Sequence, residues 1–306
     1  MYNINIYSII ILIIILIIIL VLLLNNNSII SCTLNHYIKI VYDNKNIIKQ
    51  TNTIYNLINN TLPIIENDNT IPKILFQTYH DKRKIPDYIF KNINLYASDY
   101  KYCLLDDKDA INFLKKYFSI NVVNAFINIP TGPHKADLLR YCLLYVYGGI
   151  YLDIKILLIK PLNTIFTNNY FYTCKGGIYN KNTIHNAIMA SMPRNPIFLK
   201  LILYIINFKY ELLNYNKIFY LVFCRHLYIT ILNDLNNSNK IQDTINYGIN
   251  YGLDNTYFIF KDDCVTSLDN TKYTCSKLDK YGNCCNIINE STNEILFIGR
   301  DPAYPW

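Results

Sequence analysis

Asp137, Arg140, Asp153 and Lys155 bring two carboxylates and two strong cations into one short stretch of the chain. Asp137 and Arg140 are three apart, a spacing that puts them on one face of a helix. Their neighbours Leu138, Leu139, Leu143 and Leu144 are apolar. Two readings fit the pair. As a local ion pair on a surface it contributes little. Near the start of a half-buried helix it can instead grip hydroxyls or a phosphate. Residues 150–159 are rich in β-branched and aromatic types and predict a strand. Ile150, Leu152, Ile154, Ile156 and Leu158 then face one way, and Tyr151, Asp153 and Lys155 the other. Asp153 and Lys155 would stand ~6.6 Å apart on that face. Polar groups at the head of an apolar strand are costly to bury without partners. An Asp–Lys ion pair at a strand edge and a binding site fit this run equally well.

These residues need a frame to hold them. Residues 71–78 leave a loop through Pro72 and run into apolar positions, which predicts a strand. Residues 86–96 read as a helix, and residues 100–105 as a short strand ending at Asp106 and Asp107. A helix over 109–118 would carry Ala110, Phe113, Leu114 and Tyr117 on one face. Pro130-Thr131-Gly132-Pro133 breaks the chain. A helix over 135–147 follows, ended by Gly148 and Gly149. Pro161 closes the strand over 150–159. Residues 196–235 read as helical and apolar, and residues 236–306 as short strands and loops held by cysteines. Strands alternating with helices predict an α/β domain with a mainly parallel sheet.

The run Lys135-Ala136-Asp137-Leu138-Leu139-Arg140-Tyr141, followed by Tyr145-Val146-Tyr147-Gly148-Gly149-Ile150-Tyr151-Leu152-Asp153, resembles the signature of the DXD-type sugar transferases. That family includes fungal outer-chain mannosyltransferases, and glucosylating bacterial toxins share a related Asp–Arg–DXD arrangement. Ile71 to Thr78 resembles the family's opening strand. Met189-Ala190-Ser191 with Pro193 and Pro196 resembles a later segment. The resemblance implies a GT-A fold, a Rossmann-like nucleotide-sugar domain, and retaining transfer of a hexose from a UDP- or GDP-sugar. It implies that Asp137 and Arg140 contact the donor sugar, with Gln77, Thr78 and Tyr151 on the substrate side. Asp153 matches the first aspartate of the DXD motif, with a catalytic and metal-shell role. Front-side attack is implied, the departing phosphate oxygen taking the acceptor's proton, so that no protein nucleophile is required.

The chain departs from the pattern at Lys155, where the family has its second aspartate, the usual Mn²⁺ ligand. Phe76 and Tyr79 also replace the His and Trp frequent around Gln77-Thr78. Exchanging a carboxylate for an ammonium weakens a divalent-cation site, so the Mn²⁺ requirement is in doubt. Lys155 is expected to stabilise charge on the leaving diphosphate itself. The rival is a catalytically inactive member that binds nucleotide or glycan. A second rival is a structural membrane protein with a disulfide-bonded ectodomain. Asp262 and Asp263 fit either the acceptor side or a loop turn, and Trp306 either a sugar face or core capping.

Composition sets the limits. The 306 residues are 52% hydrophobic and 14% aromatic, which allows a sizeable core and excludes a disordered chain. Five histidines without HxH or HExxH spacing argue against a histidine-based zinc enzyme. Nine glycines exclude collagen-like chains. The bias toward Ile, Asn, Tyr and Lys looks like AT-rich coding. The net charge of +7 falls after residue 70 and suits an anionic ligand such as a nucleotide diphosphate. No basic run interleaves with aromatics as a nucleic-acid groove requires.

Residues 9–24 are an unbroken run of Ile, Leu and Val, near the short limit for a membrane span. No small-residue cleavage site follows, so an uncleaved signal anchor is expected over 1–24. A stem is expected over 25–70, a GT-A domain over 71–255, and a cysteine-containing extension of the same domain over 256–306. Lys39, Lys45 and Lys49 follow the run, which by the positive-inside rule places the bulk of the chain in the cytosol. All nine cysteines also follow it, and Cys264, Cys275, Cys284 and Cys285 crowd the end, which suits disulfides in an oxidising lumen. A lumenal or extracytoplasmic catalytic domain is the expectation adopted. The expected partners are a nucleotide-sugar donor and a glycan, glycoprotein or glycolipid acceptor. The sequons at Asn26, Asn59, Asn236 and Asn289 carry small weight in so Asn-rich a chain.

Overall fold

The computed structural model describes residues 57–59, 62–64, 69–176, 182–208, 210, 221–238, 242–265 and 284–299. The expected membrane anchor over 9–24, Cys275 and Trp306 lie outside the described residues. Among the described residues no helix is long and apolar enough to cross a membrane.

Ten strands form one mixed sheet among the described residues. They are β1 (Ile74–Thr78), β2 (Lys101–Leu105), β3 (Gly149–Leu152), β4 (Leu157–Leu158), β5 (Phe171–Lys175), β6 (Ile184–Ser191), β7 (Gly248–Tyr251), β8 (Thr256–Val265), β9 (Cys284–Asn289) and β10 (Glu294–Ile298). The order is β2-β1-β3-β6-β5-β8-β9-β10-β4, with β7 on β8. β1 runs parallel to β2 and β3, and β5 parallel to β8. The remaining pairs are antiparallel. The sheet is therefore not mainly parallel as the alternation predicts. The βα units end at β3, and the chain then reverses through β6 and closes with meander-like pairs. β8 and β9 set Cys264 opposite Cys285 in register, while Cys103, Cys142, Cys174 and Cys224 are free thiols.

Six α-helices pack around this sheet among the described residues: α1 (Asp87–Tyr96), α2 (Asp107–Tyr117), α3 (Ile120–Asn128), α4 (Gly132–Tyr147), α5 (Pro196–Ile206) and α6 (Val222–Asn236). α2 starts two residues before its apolar period because Asp106 and Asp109 form a reciprocal capping box. α4 starts at Gly132 because Pro133 is well suited to a first helical turn. The main core joins Leu75, Ile150, Leu152, Ala187, Ile188, Phe260 and Phe297 across the sheet.

Two glycines connect α4 to β3. Gly148 has φ +64° and Gly149 φ +93°, both in the region that favours glycine. A Cβ on Gly148 would lie 2.6 Å from the Pro193 nitrogen, and one on Gly149 would lie 2.7 Å from the Ile74 carbonyl oxygen. Residues 57–59, within the span expected as a stem, dock on the body. Leu57 is buried, and the Asn59 amide donates to the Phe118 carbonyl at 2.9 Å.

Candidate active site

The strand directions gather the polar residues on one edge. β1, β3, β5 and β8 all end there, and antiparallel β6 begins there. The carboxyl edge of such strands is where open α/β sheets bind ligands.

Asp137 and Arg140 sit on α4 and are 5% and 3% exposed, so the face read as half-buried is enclosed. The Arg140 guanidinium meets five oxygens. Nε donates to Ala136 O at 3.1 Å, and Nη1 donates to Asn186 O at 2.6 Å and to Asn186 Oδ1 at 3.0 Å. Nη2 reaches Asp153 Oδ1 at 3.1 Å and Asp137 Oδ1 at 3.4 Å. The guanidinium also lies over the Tyr151 ring, 4.5 Å from its centroid. The Asn186 amide nitrogen donates to Asp137 Oδ1 at 2.8 Å and to Tyr141 Oη at 3.2 Å. Each member of the relay is held by at least two others, which is what a buried charge needs.

Asp153 stands immediately after β3. Its backbone N–H donates to Ala187 O at 2.8 Å. Its carbonyl accepts from Gln77 Nε2 at 3.3 Å, and Tyr102 Oη donates to Gln77 Oε1 at 2.8 Å. Its carboxylate accepts from Tyr151 Oη at 3.1 Å, and that hydroxyl meets Thr78 Oγ1 at 2.9 Å. Gln77 is wholly buried and Tyr151 1% exposed, so both support Asp153 from behind. The Asp153 side chain is the most open of the relay, at 24% exposure.

Lys155 does not share a strand face with Asp153. The strand stops at Leu152, and the Ile156 N–H closes a turn onto Asp153 O at 2.9 Å. The expected alternation survives at Ile150, Leu152, Ile156 and Leu158, but Ile154 packs into a separate cluster with Ile85 and Ile89. Lys155 lies in that turn, near enough to help hold down the Asp153 pKa.

The charges have clear causes. Burial alone would raise the pKa of Asp153, but Arg140, then Lys155 and His185, pull it below the usual carboxylate range. Burial would lower that of Arg140, and the neighbouring Tyr151, Asp153 and Asp137 reverse this. Asp137 goes the other way. Burial pushes it up to about 6, against the pull of Arg140 and Asn186. One guanidinium serves two carboxylates, and Asp153, the nearer, stays ionised.

A prediction follows from Asp137. Its folded-state pKa is above its unfolded value, so the stability it contributes is present below about pH 4 and is lost as pH rises to about 6. Asp137→Asn keeps an acceptor for Asn186 and leaves Arg140 paired with Asp153. Urea denaturation should show the variant less sensitive to pH between about 4 and 6, and more stable above that by up to about 3 kcal/mol. An unchanged pH slope would contradict the assignment. A charge kept at a cost in stability has a functional rationale.

The structure thus gathers Asp137, Arg140, Tyr151 and Asp153 into one network, with Gln77 and Thr78 as its base and Lys155 at its rim. Asn186 is the member that sequence reasoning missed. Nothing local marks it in an Asn-rich chain, and only the pairing of β3 with β6 brings it to Arg140. His185 beside it was missed for the same reason. Asp262 lies on β8 with its Oδ2 3.6 Å from His185 Nδ1.

The polar relay thus stands on the edge where open α/β sheets bind ligands. Residues 83–172 match the family described as glycosyltransferase sugar-binding region containing DXD motif. That stretch, which holds Asp137, Arg140 and Asp153, is therefore similar to the sugar-binding region of that family. It is 32% identical over 134 residues to a mannosyl phosphorylinositol ceramide synthase of Saccharomyces cerevisiae, covering 42% of this chain and 33% of that one. It is 41% identical over 71 residues to the initiation-specific alpha-1,6-mannosyltransferase of the same yeast, covering 22% and 15%. An uncharacterised glycosyltransferase of Acanthamoeba polyphaga mimivirus is 33% identical over 94 residues, covering 30% of this chain and 37% of that one. The matched part spans about a third or less of the length of the yeast relatives. The solved PaToxG glycosyltransferase overlaps 55% of this chain and 72% of its own at 17% identity and a TM-score of 0.40, too loose a likeness to bear on the fold.

Proposed function

We propose that this protein is a glycosyltransferase with a GT-A-type domain. It transfers a hexose from a UDP- or GDP-sugar to a hydroxyl of a glycan, glycoprotein or glycolipid, with retention at the anomeric carbon. The observation that carries this reading is the Asp137–Arg140–Asp153 relay, a set of buried charges inside the matched region, one of which, Asp137, is kept at a cost in stability at neutral pH. Asp153 orients the donor at the open end, and Asp137 and Arg140 act on the donor sugar through it, since the Arg140 donors are taken up inside the protein. The acceptor hydroxyl attacks on the leaving-group side, and its proton passes to the departing phosphate oxygen. Placement on a membrane, with the catalytic domain lumenal or extracytoplasmic, rests on residues 9–24 and on the cysteines after them.

The donor set suits Mn²⁺ poorly. Such hard cations take several oxygen ligands, yet Asp153 shares its carboxylate with Arg140 and Tyr151, and Lys155 holds the second DXD position. Among the described residues no group of three or more His, Cys, Asp or Glu side chains is placed to hold a metal ion. The Lys155 ammonium supplies the positive charge that the departing diphosphate needs.

The test is hydrolysis and transfer by the full-length protein with UDP- and GDP-sugars, mannosyl donors first, with Mn²⁺ and with a chelator. Turnover is expected with one donor and is expected to survive the chelator. Lys155→Ala should lower it by about 10- to 100-fold. Loss of turnover on chelation, with Lys155→Ala unaffected, would overturn the role of Lys155. Nucleotide binding without turnover of any donor would identify an inactive binder instead.

A further inference from the structure

His185 has no place in the relay, yet it stands on the same edge. It is the second residue of β6, one before Asn186, which grips Arg140, and two before Ala187, whose carbonyl accepts the Asp153 N–H at 2.8 Å. Its Nδ1 lies 3.6 Å from Asp262 Oδ2, and the two side chains are 27% and 15% exposed. At 3.6 Å this is a charge contact rather than a hydrogen bond, and the buried Nδ1 makes no hydrogen bond, so the ring is placed to pair with Asp262 when it takes up a proton. The groups that face the ring come from three other segments: Asp262 from β8, Lys155 and Asp153 from the turn after β3, and Arg140 from α4.

The charge balance at the open end is informative. Arg140 is committed to Asp137, Asp153 and Asn186 inside the protein. A diphosphate arriving at the 24% exposed Asp153 meets a carboxylate first, and like charges repel. The cations next to Asp153 outside the buried relay are Lys155 and, when protonated, His185. Burial, with Lys155 next to it, lowers the pKa of His185, and Asp262 opposes this. An arriving anion adds to the pull of Asp262.

We propose that His185, with the Asp262 carboxylate beside it, is a phosphate-contacting residue of the donor site and shares the diphosphate with Lys155. This rests on the reading of the site as one for a nucleotide-diphosphate sugar. Asp262 is a positioning residue, acting through the ring. A merely structural His–Asp contact would tie β6 to β8 and would not distinguish one phosphate from two.

Calorimetric titration of the full-length protein with UDP, GDP, UMP and GMP separates these roles. The unmodified protein should prefer the diphosphate of its own base by tenfold or more. His185→Gln should weaken that diphosphate about tenfold and leave the monophosphate within about twofold. Asp262→Asn should fall between the two, and His185→Lys, which restores a cation, should keep most of the preference. Equal losses for diphosphate and monophosphate in His185→Gln, or no loss at all, would overturn the role of His185 while leaving the donor site intact. Absence of binding by the unmodified protein to all four nucleotides would overturn the donor-site reading and this inference with it.

Discussion

Arg140→Met should destabilise the fold by about 3–5 kcal/mol, the cost of leaving buried carboxylates without their cation. Asp137 and Asp153 would face each other with only Asn186 and Tyr151 as donors. The Asn186 carbonyl would lose its Arg140 partner, and the Ala136 carbonyl the one it has beside its helical bond. Methionine fills much of the same volume, so the loss is electrostatic rather than a cavity effect. The carboxylates can recover only by taking up protons, so the deficit should shrink as the pH is lowered toward about 5. Urea denaturation across that range checks this. A triple variant with Asp137→Asn and Asp153→Asn added should regain most of the loss, because it removes the unpaired charges. A loss of under about 1 kcal/mol in Arg140→Met would mean that water or a rearranged side chain satisfies the site.

Asp153→Asn should weigh the other way, costing the fold less than Arg140→Met and removing the chemistry. The amide keeps the size of the carboxylate and an oxygen to accept from Tyr151. Arg140 keeps Asp137 and both Asn186 oxygens. What is lost is a full negative charge at the one relay position open to a ligand. Electrostatic groups of this kind contribute about 10²- to 10³-fold to turnover, and a loss of that size is expected in donor hydrolysis. Because Arg140 holds the folded-state pKa of Asp153 below its ordinary value, the same variant should lose some stability, but much less than Arg140→Met. Parallel losses of activity and stability would make Asp153 a structural residue only. Paired with Asp137→Asn, the experiment separates the carboxylate that faces the donor from the one that the fold holds at a cost.

Much of this frame was legible in the chain. The helix over 86–96 and the strand over 100–105 lie within one residue of those observed, because Pro86 and the apolar spacing leave few alternatives. The Asp137/Arg140 helix face was legible from spacing alone, but its burial was not, since α5 and α6 close over it from far along the sequence. α3 was missed. Val122, Val123 and Phe126 are its buried side, but Asn121, Asn124 and Asn128 blur the period in a chain where Asn is everywhere. The run over 150–159 misled because its composition is that of one strand. The turn at Asp153 follows from hydrogen bonds to β1 and β6 that no local pattern encodes. Asn186 and His185 were invisible for the same reason, as both reach the site through antiparallel pairing with a strand more than thirty positions earlier.

The glycine pair between α4 and β3 has a consequence for how this protein tolerates change in length. Arg140 and Asp153 sit on either side of it and must meet to within a hydrogen bond. With Gly148 pressed on Pro193 and Gly149 on Ile74, the junction has no slack to absorb an extra residue. An insertion would have to be taken up by α4, turning it by about 100° and sliding it about 1.5 Å, and Arg140 would swing away from both carboxylates. Insertions that loops elsewhere accept freely are lethal to the site here, so natural length variation in such chains should be confined to other connections.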